Sequence, residues 1–247
     1  MKKHFIRFCW VLLAPFLSAQ VLALDAAEIL YKVDEVFNAP QDQECKVKLV
    51  LIDKNGREKT RECIMLQKGS DKRLVRFVSP ADQKGIAFLS LPNEVMYLYL
   101  PAFQKTRRIA SHVKNTKFAG TDFTYEDLVV RSFTKNWRAE LIGMEDNHYV
   151  LQLFPLASTK TDYGKMVLRV RKDNFYLTRM ELYNKNGKLY KILTRDKIEK
   201  INGYWTARET QMEDLEANHK TKMLMEQVRF DVGLADDIFT ERYLSKQ

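Results

Sequence analysis

The sequence predicts a mainly β domain, a long antiparallel meander of about ten or eleven strands with a few helices. Asn-Gly occurs three times, at Asn55-Gly56, Asn186-Gly187 and Asn202-Gly203, each time between runs rich in β-forming residues. Asn-Gly in such a setting is a strong signal for a hairpin. Met166, Leu168 and Val170 fall on one face of a predicted strand and Lys165, Arg169 and Arg171 on the other, as in a sheet with one covered face. No Pro-, Gly- or Ser-rich linker interrupts residues 24–247, so we expect one domain.

The first 23 residues have the form of a secretory signal peptide. Three basic residues precede an apolar run from Phe8 to Leu17, and Val21-Leu22-Ala23 places small or short side chains before a cleavage point. The apolar run is too short to span a membrane. The sequence therefore predicts export, with residues 1–23 removed near Ala23 and a mature domain of residues 24–247.

The charge of the mature domain argues against a nucleic-acid partner. Residues 1–23 hold three of the 41 Lys and Arg and none of the 32 Asp and Glu, so the remainder carries a formal charge of +6, against +9 for the whole chain. That charge is moderate and spread along the chain, without a basic stripe. No later stretch approaches the ~18 apolar residues of a membrane helix. We expect no nucleic acid and no transmembrane span, while anionic lipid or an acidic protein surface stays open as a partner.

The elements follow in order from this pattern. Residues Asp25–Phe37 predict an amphipathic helix with Asp25 as its N-cap. A hairpin follows, with strands at Cys45–Ile52 and Thr60–Leu66. A large twisted sheet curls around a hollow, and we expect that helix and a second at Thr124–Phe133 to plug it. Further strands are predicted at Leu74–Val78, Gly85–Leu91, Glu94–Leu100, Trp137–Ile142, Tyr149–Leu156, Lys165–Arg171, Tyr176–Tyr183, Leu189–Ile198, Tyr204–Met212 and Lys220–Phe230.

Two cysteines of the mature domain, Cys45 and Cys63, flank the first hairpin turn. A three-residue turn with Gly56 in the left-handed conformation places Cys45 opposite Met65 and Cys63 opposite Val47. The sulfurs then share a face but lie diagonally. In an oxidising compartment a bulge that shifts the register by one pair would allow a bond, and we predict that disulfide. Two cysteines without a histidine cluster offer too few ligands for a metal.

The stretch from Val95 to Leu128 allows two interpretations. An apolar strand ends at Pro101, basic residues follow, and Thr124 and Asp127 have the spacing of a capping box before an apolar run. These parts could line and rim a site for an amphiphile. They could equally be a buried strand, a solvated sheet edge and an ordinary helix cap.

No pattern of residues predicts an enzyme or a cofactor. The three histidines of the mature domain, His112, His148 and His219, lack the spacing of metal ligands, and no Gly-x-Ser-x-Gly motif surrounds a serine. A glycine-rich phosphate loop is also absent from the sequence. Pairs of acidic residues precede apolar runs, where they favour helix N-termini.

Methionine is abundant for a small β domain. Its flexible side chain fills gaps in a core, and it can also line a site for loosely defined apolar ligands. The sequence leaves both roles open for the methionines on predicted strands: Met65, Met96, Met166, Met180, Met212, Met223 and Met225.

Several stretches resemble the outer-membrane lipoprotein-sorting protein family, the LolA-like periplasmic proteins of Gram-negative bacteria. They are the run 85–89 (Gly-Ile-Ala-Phe-Leu), the segment 99–101 (Tyr-Leu-Pro), the segment 107–109 (Arg-Arg-Ile), the motif 120–128 (Gly-Thr-Asp-Phe-Thr-Tyr-Glu-Asp-Leu) and the C-terminal run 237–244. The likeness covers almost all of the mature domain in the same order.

The resemblance implies an incompletely closed β-barrel wrapped over plug or lid helices, with an apolar cavity between the two. It implies a periplasmic location, no catalytic residues, and acyl chains of lipid or lipoprotein as ligands. Many members of the family work alongside RND-type exporters of hydrophobic molecules. We expect Phe88, Leu98, Leu100 and Phe123 to contribute to the cavity, and an anionic head group or partner surface to meet two arginines, Arg107 and Arg108, near its mouth.

Three functional interpretations remain open on the sequence. The first is a carrier or chaperone for lipid or lipoprotein on its way to the outer membrane. The second is an accessory subunit that docks on an exporter and holds no ligand of its own. The third is an enzyme or a structural protein of the envelope.

Overall fold

The computed structural model describes residues 24–129 and 132–246. The predicted signal peptide, residues 1–23, lies outside them. Within the described residues there are four α-helices, α1 Ala26–Phe37, α2 Tyr125–Leu128, α3 Phe133–Asn136 and α4 Glu241–Leu244. The strands of the described chain are β1 Asp42–Ile52, β2 Glu58–Lys68, β3 Lys72–Ser79, β4 Ala87–Leu91, β5 Val95–Leu100, β6 Lys105–Arg108, β7 Trp137–Glu145, β8 His148–Pro155, β9 Tyr163–Arg171, β10 Leu177–Asn184, β11 Leu189–Ile201, β12 Tyr204–Asp214 and β13 His219–Phe230.

All thirteen strands form one antiparallel sheet in two meanders. Strands β1 to β6 pair in chain order, β7 to β13 do the same, and β1 joins the two by pairing with β13. The outermost strands, β6 and β7, do not pair with each other within the described residues, so the sheet is not closed. The predicted incompletely closed barrel is confirmed. The described residues form thirteen strands, more than the ten or eleven predicted. One reason is that β6, with the sequence Lys-Thr-Arg-Arg, has no apolar pattern from which a strand could be predicted.

The three Asn-Gly dipeptides form hairpin turns as predicted. They connect β1 to β2, β10 to β11 and β11 to β12. Gly56 and Gly187 have φ of 78° and 76°, a conformation that glycine adopts without steric cost. In the first hairpin the amide of Asp53 donates to the carbonyl oxygen of Arg57 at 3.0 Å, which is the predicted register.

The predicted disulfide is wrong, because that register continues unshifted along the whole hairpin. Cys45 pairs with Met65 and Cys63 with Val47, and both cysteines are free and buried. The bulge that would bring the sulfurs together is absent from the β1–β2 pair. It occurs between Lys46 and Val47 on the other side of β1, where that strand pairs with β13. Diagonal neighbours in a sheet are about 7–8 Å apart, which is too far for a disulfide.

Helix α1 is the predicted N-terminal helix. Asp25 Oδ1 accepts a hydrogen bond from the Glu28 amide at 2.7 Å, and Glu28 Oε2 accepts one from the Asp25 amide at 3.0 Å, so the N-terminus has a full capping box. Ile29 and Val33 are fully buried and anchor the helix to the sheet through the core.

The second predicted helix, Thr124–Phe133, is shorter than expected. Helix α2 ends at Leu128, because Val129 has the extended conformation, with ψ of 131°. A separate short helix, α3, begins at Phe133. Val129, which was predicted to lie in the helix interior, is a β-branched residue, and such residues favour an extended backbone.

The two faces of the sheet carry separate cores. The inner face, which α1 and α2 cover, holds the larger core. The outer face of β2 to β5 holds a smaller one, where Leu74 and Tyr99 pack with Phe239 and Leu244 of the C-terminal segment. The C-terminal run therefore fastens the last helix to the outside of the sheet.

Candidate functional site: a cavity under the middle of the sheet

A cavity of about 270 Å³ lies between the inner face of the sheet and the helices α1, α2 and α3. Strands β9 to β13 form most of its floor, and the C-terminal end of α1 together with residues 123–129 and 132–133 covers it. This volume is just below the range of ligand pockets, which runs from about 300 to 1,000 Å³. The hollow that we expected from the curled sheet is therefore present.

Methionine and aromatic side chains make up much of the wall. Six of the seven methionines on predicted strands line the cavity, and Met96 is the exception. Among them Met180, Met223 and Met225 are only half-buried, so part of each side chain remains accessible. Unbranched thioether side chains adapt their shape to an apolar ligand. The six are Met65, Met166, Met180, Met212, Met223 and Met225.

A buried carboxylate holds the cover in place. Asp34, near the end of α1, accepts hydrogen bonds from the hydroxyl of Ser132 at 2.6 Å, the amide of Phe133 at 2.7 Å and the amide of Thr134 at 2.9 Å. These donors form the start of α3. The carboxylate thus satisfies amides that the helix itself leaves without a partner and joins α1 to α3 above the cavity.

A second buried carboxylate fixes the motif at 120–128 to the sheet. Asp122 is fully buried. Its oxygens contact Nζ of Lys117 at 2.9 Å, Oγ1 of Thr221 at 2.8 Å and Nδ1 of His219 at 2.5 Å. Lys117 also pairs with Asp214 at 2.8 Å. A buried charge needs this density of partners, so the aspartate of the motif has a structural role.

The capping box at Thr124 and Asp127 is present and reaches beyond its own helix. The Thr124 amide donates to Asp127 Oδ2 at 2.7 Å, and the Asp127 amide donates to Thr124 Oγ1 at 3.2 Å. Asp127 also accepts from the hydroxyl of Tyr163 at 2.5 Å, and Nζ of Lys191 lies 3.5 Å away. Burial, together with the charge of Asp127, raises the pKa of Tyr163 well above its ordinary value. The cap therefore ties α2 to β9 and β11.

Two arginines, Arg73 of β3 and Arg195 of β11, line this apolar cavity. Arg73 donates from Nη1 to the carbonyl oxygen of Leu128 at 3.1 Å and from Nη2 to Oε1 of Gln67 at 2.5 Å. Burial lowers the pKa of Arg73 to about 10, and the charge of Arg195 adds to that effect. Sequence reasoning missed both, since a single arginine in a strand gives no sign of facing inward.

Arg195 has fewer protein partners than Arg73. Its Nη1 donates to the carbonyl oxygen of Leu177 at 3.3 Å, and its guanidinium carbon lies 4.8 Å from the ring centre of Phe37. Burial lowers the pKa of Arg195 as well. Within residues 24–129 and 132–246, neither this arginine nor Arg73 forms an ion pair with a carboxylate.

The apolar residues that we expected in the cavity are mostly elsewhere. Phe123 is among the residues that line it. Phe88 is fully buried with its ring centre 5.7 Å from that of Tyr125, and Leu98 packs against the edge of the same core. Phe88, Leu98 and the half-buried Leu100 are not among the residues that line the cavity. This corrects the prediction: β4 and β5 lie towards one edge of the sheet, while the cavity lies under its middle.

Arg107 and Arg108 are exposed on β6, the strand at one edge of the sheet. They pair with Leu98 and Tyr97 of β5 and do not line the cavity. Phe103, just before β6, is 64% exposed. The two arginines therefore belong to an exposed basic edge of the sheet. They were predicted to lie near the mouth of the cavity, but they are not among the residues that line it.

The helices of the described residues are all too short or too polar to cross a membrane.

Comparison with known proteins places this architecture among solved relatives. A family model described as uncharacterized protein-like matches residues 69–246. A DUF1329 family protein from Desulfovibrio piger is 28% identical, with a TM-score of 0.83, over 88% of this chain and 97% of that one. A search of curated proteins gives no significant match.

Two further crystal structures share the fold. A domain assigned to outer membrane lipoprotein sorting, from Vibrio parahaemolyticus, is 26% identical, with a TM-score of 0.80, over 90% of this chain and 98% of that one. A LolA superfamily protein from Nitrosomonas europaea is 23% identical, with a TM-score of 0.75, over 90% of this chain and the whole of that one.

Proposed function

This chain belongs to the LolA-like family of outer-membrane lipoprotein-sorting proteins, and from that membership we propose that it is a periplasmic carrier of lipid or lipoprotein acyl chains. The chains would lie in the cavity under the sheet during transfer toward the outer membrane. Residues 1–23 would direct export and would be cleaved off near Ala23. The proposed role is binding and transfer without catalysis.

The observation that carries the proposal is the composition of the cavity wall. Six methionines surround a space that the protein's own side chains leave open, and a core that served stability alone would be filled. An acyl chain entering this space would leave water at a gain of about 0.8 kcal/mol per buried CH₂. Methionines would follow the shape of chains that differ in length.

Uptake of a fluorescent fatty-acid probe tests the proposal. We expect wild-type protein to bind the probe, with enhanced fluorescence, and unlabelled lipid to displace it. Met180→Trp, with a bulkier side chain on the cavity wall, should weaken uptake. Met144→Trp is the matched control, because Met144 is 64% exposed on β7 and should leave uptake unchanged.

Circular dichroism and a denaturation midpoint would establish that both variants fold. If folded wild-type protein binds no probe, the carrier proposal fails, and an accessory subunit that docks on an RND-type exporter becomes the better account. Equal uptake by the Met180→Trp and Met144→Trp variants would place any bound probe outside this cavity.

A further inference from the structure

The cavity combines an apolar wall with two cationic side chains whose donors are only partly used. Nε of Arg73 is buried and has no hydrogen-bond partner among the described residues. Arg195 donates one hydrogen bond, to the carbonyl oxygen of Leu177, although a guanidinium carries five N–H groups. Buried polar groups are nearly always hydrogen-bonded, so the unpartnered Nε of Arg73 calls for a physical explanation. The half-buried Arg195 adds further N–H groups on the same wall.

The carboxylates of the same wall already have partners of their own. Asp34 accepts from the start of α3, and Asp127 accepts from Tyr163 and its capping partner. Glu126 is also engaged within the protein. The two arginines receive no charge compensation from these groups as hydrogen-bond or ion-pair partners. The acceptor oxygens of Asp34 and Asp127 are thus occupied by donors of the protein, and the guanidinium groups of Arg73 and Arg195 keep N–H groups that a ligand in the cavity could use.

The two positive charges are close enough to affect each other. The charge of Arg195 contributes to lowering the pKa of Arg73, which is the direction that two like charges in one enclosure produce. Both arginines remain protonated at neutral pH. Two cations in one cavity without a ligand are unfavourable. An anion between them would relieve their repulsion and would accept hydrogen bonds from the unused N–H groups.

We propose that Arg73 and Arg195 together bind the anionic head group of a single-chain amphiphile inside the cavity. The ligand class is an alkyl chain that ends in a carboxylate or a phosphate, with the chain lying along the methionine wall. Planar guanidinium groups match both anions through paired donors. The inference rests on the proposed carrier function and specifies its ligand: the head group is bound inside the cavity, away from the exposed arginines of β6.

A comparison of matched ligands tests the assignment. The probes are decanoate, decyl phosphate and decanol, which share a chain and differ in charge, together with inorganic phosphate alone. Isothermal titration calorimetry gives a Kd for each on the full mature chain. We expect decanoate and decyl phosphate to bind about tenfold or more tightly than decanol, since charge-assisted hydrogen bonds act on the anions only.

Arginine variants test whether these side chains cause the preference for anionic ligands. Arg195→Gln should weaken the binding of decanoate by about tenfold and leave the binding of decanol unchanged. Arg195→Lys, which keeps the charge, should retain part of the preference for decanoate. Arg73→Gln should also weaken the binding of decanoate. If loss of the Arg73 hydrogen bonds prevents folding, Arg195→Gln alone still tests the proposal. Arg57→Gln is the control, because Arg57 lies in the first hairpin turn with a side chain 78% exposed.

The outcomes separate this inference from the carrier function. If decanol and decanoate bind equally and Arg195→Gln changes neither, the head-group site is overturned while the carrier function stands. If inorganic phosphate binds as tightly as decyl phosphate, the arginines form a plain anion site and the assignment to an amphiphile is wrong. If no alkyl ligand binds to wild-type protein, the carrier function itself fails.

Discussion

Thr124 and Asp127 form a helix cap that local spacing alone is enough to predict. They have the spacing of a capping box, and the box is present at the start of α2, because a cap depends on residues three apart in the chain. The further bonds of Asp127 to Tyr163 and Lys191 could not be predicted in the same way. They depend on which strands pass above α2.

Removal of the Thr124 hydroxyl should destabilise the protein. Thr124→Ala should lower the free energy of unfolding by about 1 kcal/mol, because the Asp127 amide loses its acceptor. Chemical denaturation measures the change. Thr124→Ser, which keeps the hydroxyl, is the control and should lie close to wild type. Identical midpoints for all three proteins would mean that the cap contributes nothing.

The two free cysteines give a second prediction at the residue scale. In protein that lacks residues 1–23, and with them Cys9, a thiol reagent should titrate two equivalents in denaturant without reductant. It should react slowly with the native protein, because burial raises the pKa of Cys45 and of Cys63 from 9.0 to about 12. Zero equivalents from unfolded, unreduced protein would show that the disulfide forms after all.

The same pKa shifts set the direction of a pH effect. Folded protein keeps both thiols protonated where the unfolded chain begins to ionise, near the ordinary thiol pKa of 9.0. The stability that this difference contributes is present below that pH and is lost as the pH rises from 9.0 to about 12. Replacing both cysteines with alanine should remove this part of the alkaline destabilisation.

At the scale of elements, local pairing was predictable and long-range pairing was not. Each Asn-Gly turn fixes a hairpin between neighbours in the chain. The pair of β1 with β13 joins residues about 180 positions apart and leaves no local signal. The position of the cavity follows from that pair, since it brings the second meander beside the first. Without it, the sequence placed the cavity under β4 and β5.

A close approach between β9 and β10 predicts the effect of one glycine substitution. A Cβ atom added at Gly164 would lie 2.5 Å from the backbone oxygen of Asn184, so Gly164→Ala must shift a strand and should cost about 1–3 kcal/mol of unfolding free energy. At Gly143 of β7 an added Cβ meets nothing within 4 Å, so Gly143→Ala is the matched control. Equal denaturation midpoints for the two variants would refute the close approach.

The basic edge at β6 gives a prediction about transfer. Arg107→Glu with Arg108→Glu should leave probe uptake nearly intact, because neither residue lines the cavity. It should slow delivery of bound lipid to anionic vesicles or to a partner, since exposed charges act mainly on association rate. A transfer assay by fluorescence resonance energy transfer measures this. Transfer at the wild-type rate would remove any role for this edge.

For the whole molecule, composition predicted a methionine-rich β domain and the family resemblance predicted its cavity. The methionines could not be assigned to core or cavity from the sequence, because strand alternation shows a shared face but not an unfilled space. The inward arginines escaped prediction for the same reason. Strands hold Arg73 and Arg195 in one enclosure although they are over a hundred residues apart in the chain.

The central claim is that the cavity carries an amphiphile with an alkyl or acyl chain. Mass spectrometry of organic extracts from protein exported by its native host and purified without detergent tests this most directly, with the Met180→Trp variant extracted alongside. We predict a chain-bearing, acidic molecule in near-stoichiometric amount from wild type and much less from the variant. Extracts without any such molecule, from folded protein that also fails to bind the probe, would contradict the account.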